Sequence, residues 1–181
     1  MKIICVGLNY RRHAAEMGRP IPPEPMIFLK PDSALLKRNK PFFIPDFSNN
    51  LHFEAELVLR ISKLGKGIAA RYAYRYYDAL TVGIDFTARD LQHRFSQAGH
   101  PRELSKTFDG SAPVGTFIEA ERFPDHSDIS FSLEINGELR QEGNTSDLIF
   151  GFAEIIEYVS KYYTLKTGDL IFTGTPSGVG P

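Results

Sequence analysis

Between His52 and Ile61 the chain reads HFEAELVLRI, an apolar strand-like run that carries Glu54 and Glu56 two positions apart. Side chains at i and i+2 of an extended chain share a face, so the two carboxylates point the same way. The run lies inside a longer stretch, Asn39 to Gly67, in which apolar and polar residues alternate between turn clusters, as strands do. A fold for this chain must place a strand here and give two acids on one of its faces something to do.

The flanking segments extend a strand-rich pattern. The opening MKIICVGLN reads as a first strand. Gly18 to Pro31 is proline-dense, which excludes a regular helix or central strand and predicts a loop ending in a short strand around Met26 to Leu29. Asn9 to Gly18, with alanines, a glutamate and a closing glycine, predicts a short helix that ends at a glycine cap and, flanked by loops, can move. AARYAYRYYDAL has helical spacing and leads into TVGIDFTARD, a buried strand ending near Asp85 to Thr87, and RDLQHRFSQAG is a short helix. Asn136-Gly137 between alternating runs is a hairpin signal. TSDLIFGFAEIIEYVSKYY sets Leu148, Phe152, Ile155, Ile156 and Val159 on one helical face, with Thr145 or Ser146 as the cap. A turn at Gly168-Asp169 precedes a last strand. The pattern predicts strands with a few peripheral helices, and it contains no repeat or low-complexity tract.

Composition narrows the functions open to such a domain. At 181 residues with 42% hydrophobic residues, one domain with a sizeable core is expected. Lys+Arg 21 against Asp+Glu 22 leaves a net charge of -1, so no global basic field attracts nucleic acid or a membrane surface. No apolar run reaches the length of a membrane span, and the N-terminal one is too short for a signal sequence before Arg11 and Arg12. Cys5 is the single cysteine, which excludes an intrachain disulfide and points to a reducing, cytoplasmic setting, where a first-strand cysteine is buried rather than nucleophilic. Asn144 opens an Asn-Thr-Ser sequon, set aside because nothing suggests secretion.

Two acids on a strand are by themselves best explained as a solvated edge. Asp85 changes that balance, because it lies in TVGIDFTA, where an acid is expensive unless it is paired or binds a cation. Glu54, Glu56 and Asp85 together make a hard-oxygen set suited to Mg²⁺ or Mn²⁺, and no Cys/His spacing points to zinc. His13 and Glu16, three apart on the short helix, share a face: either two surface residues, or a general base oriented by a carboxylate. Lys106 is a solvated loop lysine unless it faces the acids, where it would stabilise an oxyanion. Arg89 and Gln92 can clamp polar substrate atoms or merely cap their helix. The glycine-rich TGTPSGVGP lacks the features of a phosphate or dinucleotide loop, but its glycines let backbone N–H groups approach a ligand. His52, His93, His100 and His126 show no partner pattern and read as structural or exposed.

GLNYRRHAAEM, FLKPDSA, FEAEL, GIDFTARDLQ, SKTFDGSAPVG, NGELRQEGNTSDLIF and GDLIFTGTPSGVGP, in this order, resemble the successive motifs of the fumarylacetoacetate hydrolase family. The likeness is to its short single-domain branch of acylpyruvate hydrolases and oxaloacetate decarboxylases. The resemblance implies an α+β fold, mainly a mixed β-roll with short peripheral helices, over 1–181, with residues 1–25 forming the first strand and a mobile lid. It implies a homodimer, a small 2-oxo acid substrate, and Mg²⁺ or Mn²⁺, with Ca²⁺ as a substitute. The family's metal acids fall on Glu54, Glu56 and Asp85, its catalytic dyad on His13 and Glu16, and its catalytic lysine on Lys106. Its substrate-pocket residues fall on Arg89, Gln92, Gly174 and Thr175. Family members continue past GVGP with a segment that completes the roll, so at Pro181 the resemblance implies either a truncated chain or missing C-terminal strands. The implied activity is cleavage of acylpyruvates to pyruvate and a carboxylic acid, or decarboxylation of oxaloacetate. The alternatives are an isomerase or decarboxylase of unsaturated dicarboxylic 2-oxo acids such as 2-hydroxyhepta-2,4-diene-1,7-dioate, and an inactive metal-stabilised scaffold.

Overall fold

The computed structural model describes residues 1–37 and 40–181. Asn39, which opens the alternating stretch, lies outside them. The strands in chain order are β1 (Ile3–Gly7), β2 (Met26–Lys30), β3 (Ala55–Ile61), β4 (Tyr77–Ile84), β5 (Ile118–Glu119), β6 (Ser130–Ile135), β7 (Glu138–Asn144) and β8 (Leu170–Phe172), beside several two-residue pairings. Six of them form one sheet in the order β2-β1-β8-β3-β4-β5, while β6 and β7 form a separate hairpin. β1 and β8 run parallel, with Ile3 opposite Leu170, and the other neighbours are antiparallel. The helices α1 (Arg11–Glu16), α2 (Arg89–Gln97) and α3 (Phe152–Tyr162) are short, which makes this the α+β, mainly β fold that the sequence implies.

Strand geometry decides which side chains meet. Ile4 and Val6 of β1, Leu57, Leu59 and Ile61 of β3, and Ile171 of β8 share one face and pack against Ile155, Ile156 and Val159 of α3. The alternate residues Ile3, Cys5, Val58, Leu170 and Phe172 line the opposite face and pack on Ala34, Ala112 and Val114. Because both faces are covered, these strands read as continuous apolar runs rather than as clean alternations. The same parity sends Lys30, Glu56 and the residue after β4, Asp85, to the second face. That face carries the site.

Three local expectations are corrected. Thr145 and Ser146 do not cap α3: Thr145–Asp147 is a separate 3₁₀ turn, with Asn144 Oδ1 accepting from the Ser146 N–H at 2.8 Å. The helix starts at Phe152, where the Gly151 N–H donates to Glu154 Oε2 at 2.8 Å, and Leu148 reaches the same core from outside the helix. Ala70–Arg75 forms a six-residue 3₁₀ helix rather than an α-helix, and β4 begins just after it, at Tyr77. The hairpin signal holds, with Asn136 at φ 54° and Gly137 at φ 82°, the left-handed pair of a type I′ turn. Cys5 is buried, as expected. No helix among the described residues is long and apolar enough to cross a membrane.

Candidate active site

The acid cluster is a product of strand register. β3 and β4 pair with Ala55 opposite Ile84, so Glu54, just before β3, and Asp85, just after β4, meet where the ladder ends. The Asp85 N–H donates to the Glu54 carbonyl at 2.8 Å. Carboxylate oxygens of Glu54, Glu56 and Asp85 lie within 4.8 Å of one another, and all three residues are buried.

Three buried carboxylates this close demand compensation. Lys106 Nζ donates to Glu54 Oε2 at 2.8 Å and to Asp85 Oδ2 at 2.7 Å, so its ammonium bridges two of them. Arg89 donates to Glu54 Oε1 at 2.5 Å and, through its other nitrogen, to Gln92 Oε1 at 2.7 Å. From behind, the fully buried Lys30 places Nζ 2.7 Å from Asp85 Oδ1. Its protons are aimed at Ser111 Oγ at 3.0 Å and at backbone carbonyls, so Asp85 Oδ1 accepts no hydrogen bond and its contact with Lys30 is Coulombic. Glu56 has no cationic partner among the described residues and accepts only from the Gly174 N–H, at 2.7 Å.

These environments drive the two glutamates apart. Burial pushes the Glu54 carboxyl up, but the charges of Lys106 and Arg89 outweigh it and hold it at about 2. For Glu56, burial and the neighbouring Asp85 and Glu54 raise the carboxyl well above the usual range, against the pull of the Gly174 N–H and Lys106. Burial acts to lower Lys106, but Asp85 and Glu54 overcome it and keep the ammonium charged. Three buried carboxylates, one of them costly to ionise, are what a divalent cation relieves. All-oxygen donors suit a hard ion, so Mg²⁺ or Mn²⁺ fits Glu54, Glu56 and Asp85.

α1 brings the dyad to the same place. β1 ends at Gly7, Leu8 turns the chain at φ 53°, and the buried Asn9 fixes the exit. The Asn9 carboxamide donates to the Thr173 and Phe150 carbonyls at 2.8 and 3.0 Å and accepts from the Phe150 N–H at 2.9 Å. The helix then runs to Glu16 and stops at Gly18 with φ 60°, the left-handed cap expected there. His13 Nδ1 lies 2.9 Å from Glu16 Oε2, and Glu16 Oε1 accepts from the Gly178 N–H at 3.2 Å, tying the helix to the glycine-rich loop.

The three acids, Lys106, His13, Arg89, Gln92 and Thr175 border one cavity of about 310 Å³. Glu16 stands behind His13 and Gly174 behind Glu56, so the structure brings together every site residue expected from the sequence. The remaining histidines stay outside: His126 bonds Tyr77 Oη at 2.6 Å and the Ala120 carbonyl at 3.0 Å, while His93 and His100 are exposed. Two participants escaped the sequence reading. Lys30 offered one signal, a lysine ending an otherwise apolar strand. Gln141 accepts from the Ala55 N–H at 2.8 Å and donates to Thr175 Oγ1 at 2.8 Å, bracing the acid strand against the loop, and in the sequence it is one more polar residue of a hairpin.

The sequence matches the family model for the fumarylacetoacetate (FAA) hydrolase C-terminal region over residues 2–181. The chain belongs to the fumarylacetoacetate hydrolase family. Among curated relatives, mitochondrial oxaloacetate tautomerase FAHD1 of Bos taurus is 44% identical over 179 residues, 99% of this chain and 81% of that protein. Oxaloacetate tautomerase YcgM of Escherichia coli K12 is 41% identical over 181 residues, 99% of this chain and 83% of that protein. Among solved structures, fumarylpyruvate hydrolase from Pseudomonas aeruginosa, in complex with Mn²⁺ and pyruvate, is 39% identical, with a TM-score of 0.93 over 99% of this chain and 79% of that one.

Proposed function

We propose that the chain is an enzyme of short 2-oxo acids that works at C3, the carbon beside the ketone, by removing or returning a proton there. One observation carries this reading: a histidine oriented by a glutamate, His13 with Glu16 at 2.9 Å, borders the same cavity as three buried acids and Lys106. Mg²⁺ or Mn²⁺ held by Glu54, Glu56 and Asp85 supplies, when bound, polarisation of the 2-oxo carbonyl and a sink for charge developing on its oxygen. With Glu16 Oε2 accepting the proton on His13 Nδ1, Nε2 is left as the base. In keto–enol interconversion of oxaloacetate, Nε2 takes a proton from C3, the C–H pair becomes the C2–C3 double bond, the C2–O π pair moves onto oxygen, and Nε2 gives the proton to that oxygen. No water or electron enters. Lys106, charged at all working pH values, offers its protons to substrate oxygens, and Arg89 with Gln92 orients the carboxylate.

The relatives named for oxaloacetate tautomerisation favour this reaction as the first. The neighbour named fumarylpyruvate hydrolase, holding Mn²⁺ and pyruvate, favours a second on the same groups. There, water that gives its proton to His13 adds to C4 of an acylpyruvate, the C3–C4 bond breaks, and C3 takes the proton back. Loss of carbon dioxide from oxaloacetate would leave the same electron pair at C3 and need no activated water. The proline-rich stretch after α1 would let the dyad close over substrate and exclude bulk water.

The test is an assay of purified protein with Mg²⁺ or Mn²⁺. It follows the oxaloacetate enol, carbon dioxide release and acetylpyruvate cleavage side by side, with Glu54→Ala and His13→Ala as variants. Metal-dependent turnover that falls about 10²–10⁴-fold in His13→Ala, the range of a general base, is expected. No metal-dependent acceleration on any of the three would overturn the reading and favour a scaffold.

A further inference from the structure

We infer that a basic cavity at the other end of the β3–β4 pair from the acids is a second binding site, one that takes a small phosphoryl-bearing anion. The inference is independent of the 2-oxo acid reading, because the two cavities share no bordering residue. β3 leaves Glu54 behind and ends at Ile61, opposite Tyr77, where β4 starts back towards Asp85. Its seven residues span roughly 20 Å, and the segment from Lys63 to Tyr76 lies beyond that far end. There Lys63, Lys66, Tyr72, Arg75 and Tyr76 border a cavity of about 300 Å³.

The segment is tied down at several points. The Gly65 N–H donates to the Leu165 carbonyl at 3.0 Å, and the Leu165 N–H returns the bond at 2.8 Å. Gly67 then turns the chain at φ 61°, with its N–H on the Ser160 carbonyl at 2.9 Å. The following N–H, of Ile68, donates to the buried Ser160 Oγ at 2.8 Å. The Tyr76 ring packs so closely on Gly65 that a Cβ there would fall 2.3 Å from Cε1, which holds the ring in place beside the cavity.

Charge singles this cavity out. Lys63, Lys66 and Arg75 border it and no acid does. Among the described residues none of the three has a carboxylate within 4.0 Å. Each is held by a neutral group instead. Lys63 Nζ lies 5.4 Å from the Tyr76 ring centroid, and Lys66 Nζ donates to the Lys161 carbonyl at 3.0 Å. Arg75 Nε donates to Tyr74 Oη at 3.0 Å, and its guanidinium carbon is 5.2 Å from the Tyr72 ring centroid. Arg71, 4.9 Å from the same ring centroid, adds a further positive charge. Glu157 reaches the segment, but its Oε1 accepts from the Ala70 N–H at 3.0 Å and it does not border the cavity.

A lone exposed cation is ordinarily a solvated charge worth little. Rings, a hydroxyl and a carbonyl restrict these three without cancelling them, so an anion meets charges that are already partly ordered. Ammonium and guanidinium groups together match the several oxygens of a phosphoryl group, whereas a monocarboxylate brings one charge to three cations. With a net charge of -1 the chain offers a polyanionic polymer no extended field, which leaves a small molecule as the ligand.

Inorganic pyrophosphate is the probe, titrated by calorimetry in Mg²⁺-matched buffer at constant ionic strength, beside inorganic phosphate, ADP and acetate. The wild type is expected to bind pyrophosphate about tenfold more tightly than phosphate and to show no binding of acetate at this cavity. Lys66→Gln and Arg75→Gln should each weaken pyrophosphate about three- to tenfold, and Arg75→Lys should keep part of the affinity. The triple variant Lys63→Gln/Lys66→Gln/Arg75→Gln should abolish binding, while Glu54→Gln, in the other cavity, should leave it unchanged. ADP as tight as pyrophosphate would identify a nucleotide as the source of the phosphoryl group, and weaker ADP a free phosphoryl anion; both support the site. A wild type that binds pyrophosphate no better than acetate, or a triple variant that binds like the wild type, overturns it. So does loss of binding in Glu54→Gln with retention in the triple variant, which would put the anion at the acid cluster.

Discussion

Lys30 shows what a single residue can do that its place in the sequence does not announce. Its ammonium is fully enclosed 2.7 Å from Asp85, and removing it breaks a buried pair and leaves that carboxylate with Lys106 where it had two cations. Lys30→Met should therefore cost about 3–5 kcal/mol in urea unfolding. The double variant Lys30→Met/Asp85→Asn should cost less than the sum of the singles, and simple additivity would remove the proposed coupling. Tyr77 offers a pH test of the core. Burial pushes its hydroxyl up to about 12, above the value near 10 of an unfolded chain. Between those two pH values the unfolded state loses the proton and the folded state keeps it, so stability must fall as pH rises from about 10 to 12. Tyr77→Phe should lose less melting temperature than wild type between pH 9.5 and 11, and equal losses would contradict the assignment. At this scale the acids were readable together and not singly: Glu54 and Glu56 alone pass for a solvated edge, and only Asp85, inside the apolar TVGIDFTA, needs a reason to be there. Lys30 and Gln141 were not, because a polar residue at a strand end or in a hairpin looks ordinary until the opposite face is known to be covered.

Among the elements, the glycine-rich loop after β8 places the most severe demand on the backbone. Gly174 has φ 105°, and a Cβ there would sit 2.7 Å from Asn9 Cβ and 3.3 Å from the Val6 carbonyl oxygen. The same residue gives its N–H to Glu56 at 2.7 Å, so loop conformation and acid orientation are one requirement. Gly174→Ala should destabilise the protein by roughly 2 kcal/mol or more, from strain and overlap together. It should also weaken Mn²⁺ binding by displacing Glu56. An alanine variant with wild-type Mn²⁺ affinity would show that the loop does not position the acid. Helix and strand positions were largely readable from periodicity and punctuation: Gly18 stops α1, and Asn136-Gly137 turns the hairpin. The errors came where tertiary demands overrode local preference. Gly151 caps α3 through Glu154, although Thr145 and Ser146 are better caps by composition, because the chain must first pass Leu148 into the core.

For the molecule as a whole, strand order was the least readable property. β1 and β8 lie side by side although the Lys2 N–H and the Asp169 carboxylate that join them, at 2.8 Å, are 167 residues apart in sequence. Nothing local encodes that pairing, yet it sets β3 beside β8, Gly174 beside Glu56, and the acids at the ends of β3 and β4. The site is therefore a junction of segments from both ends of the chain, and whatever binds it clamps them together. A cation bound by the folded state alone stabilises it by RT ln(1 + [L]/Kd), about 2.7 kcal/mol at a hundredfold excess over Kd. For a chain of this size each kcal/mol moves the melting temperature by about 2–4 °C, so saturating Mn²⁺ should raise it by roughly 5–10 °C. Glu54→Gln and Glu56→Gln should each remove most of that gain, while Arg60→Gln, whose ion pairs with Asp78 and Glu119 lie away from the cavity, should retain it. Equal gains in all four proteins would mean that Mn²⁺ acts elsewhere, and no gain in the wild type would mean that Lys106, already bridging Glu54 and Asp85, neutralises the acids too well for a cation to displace it.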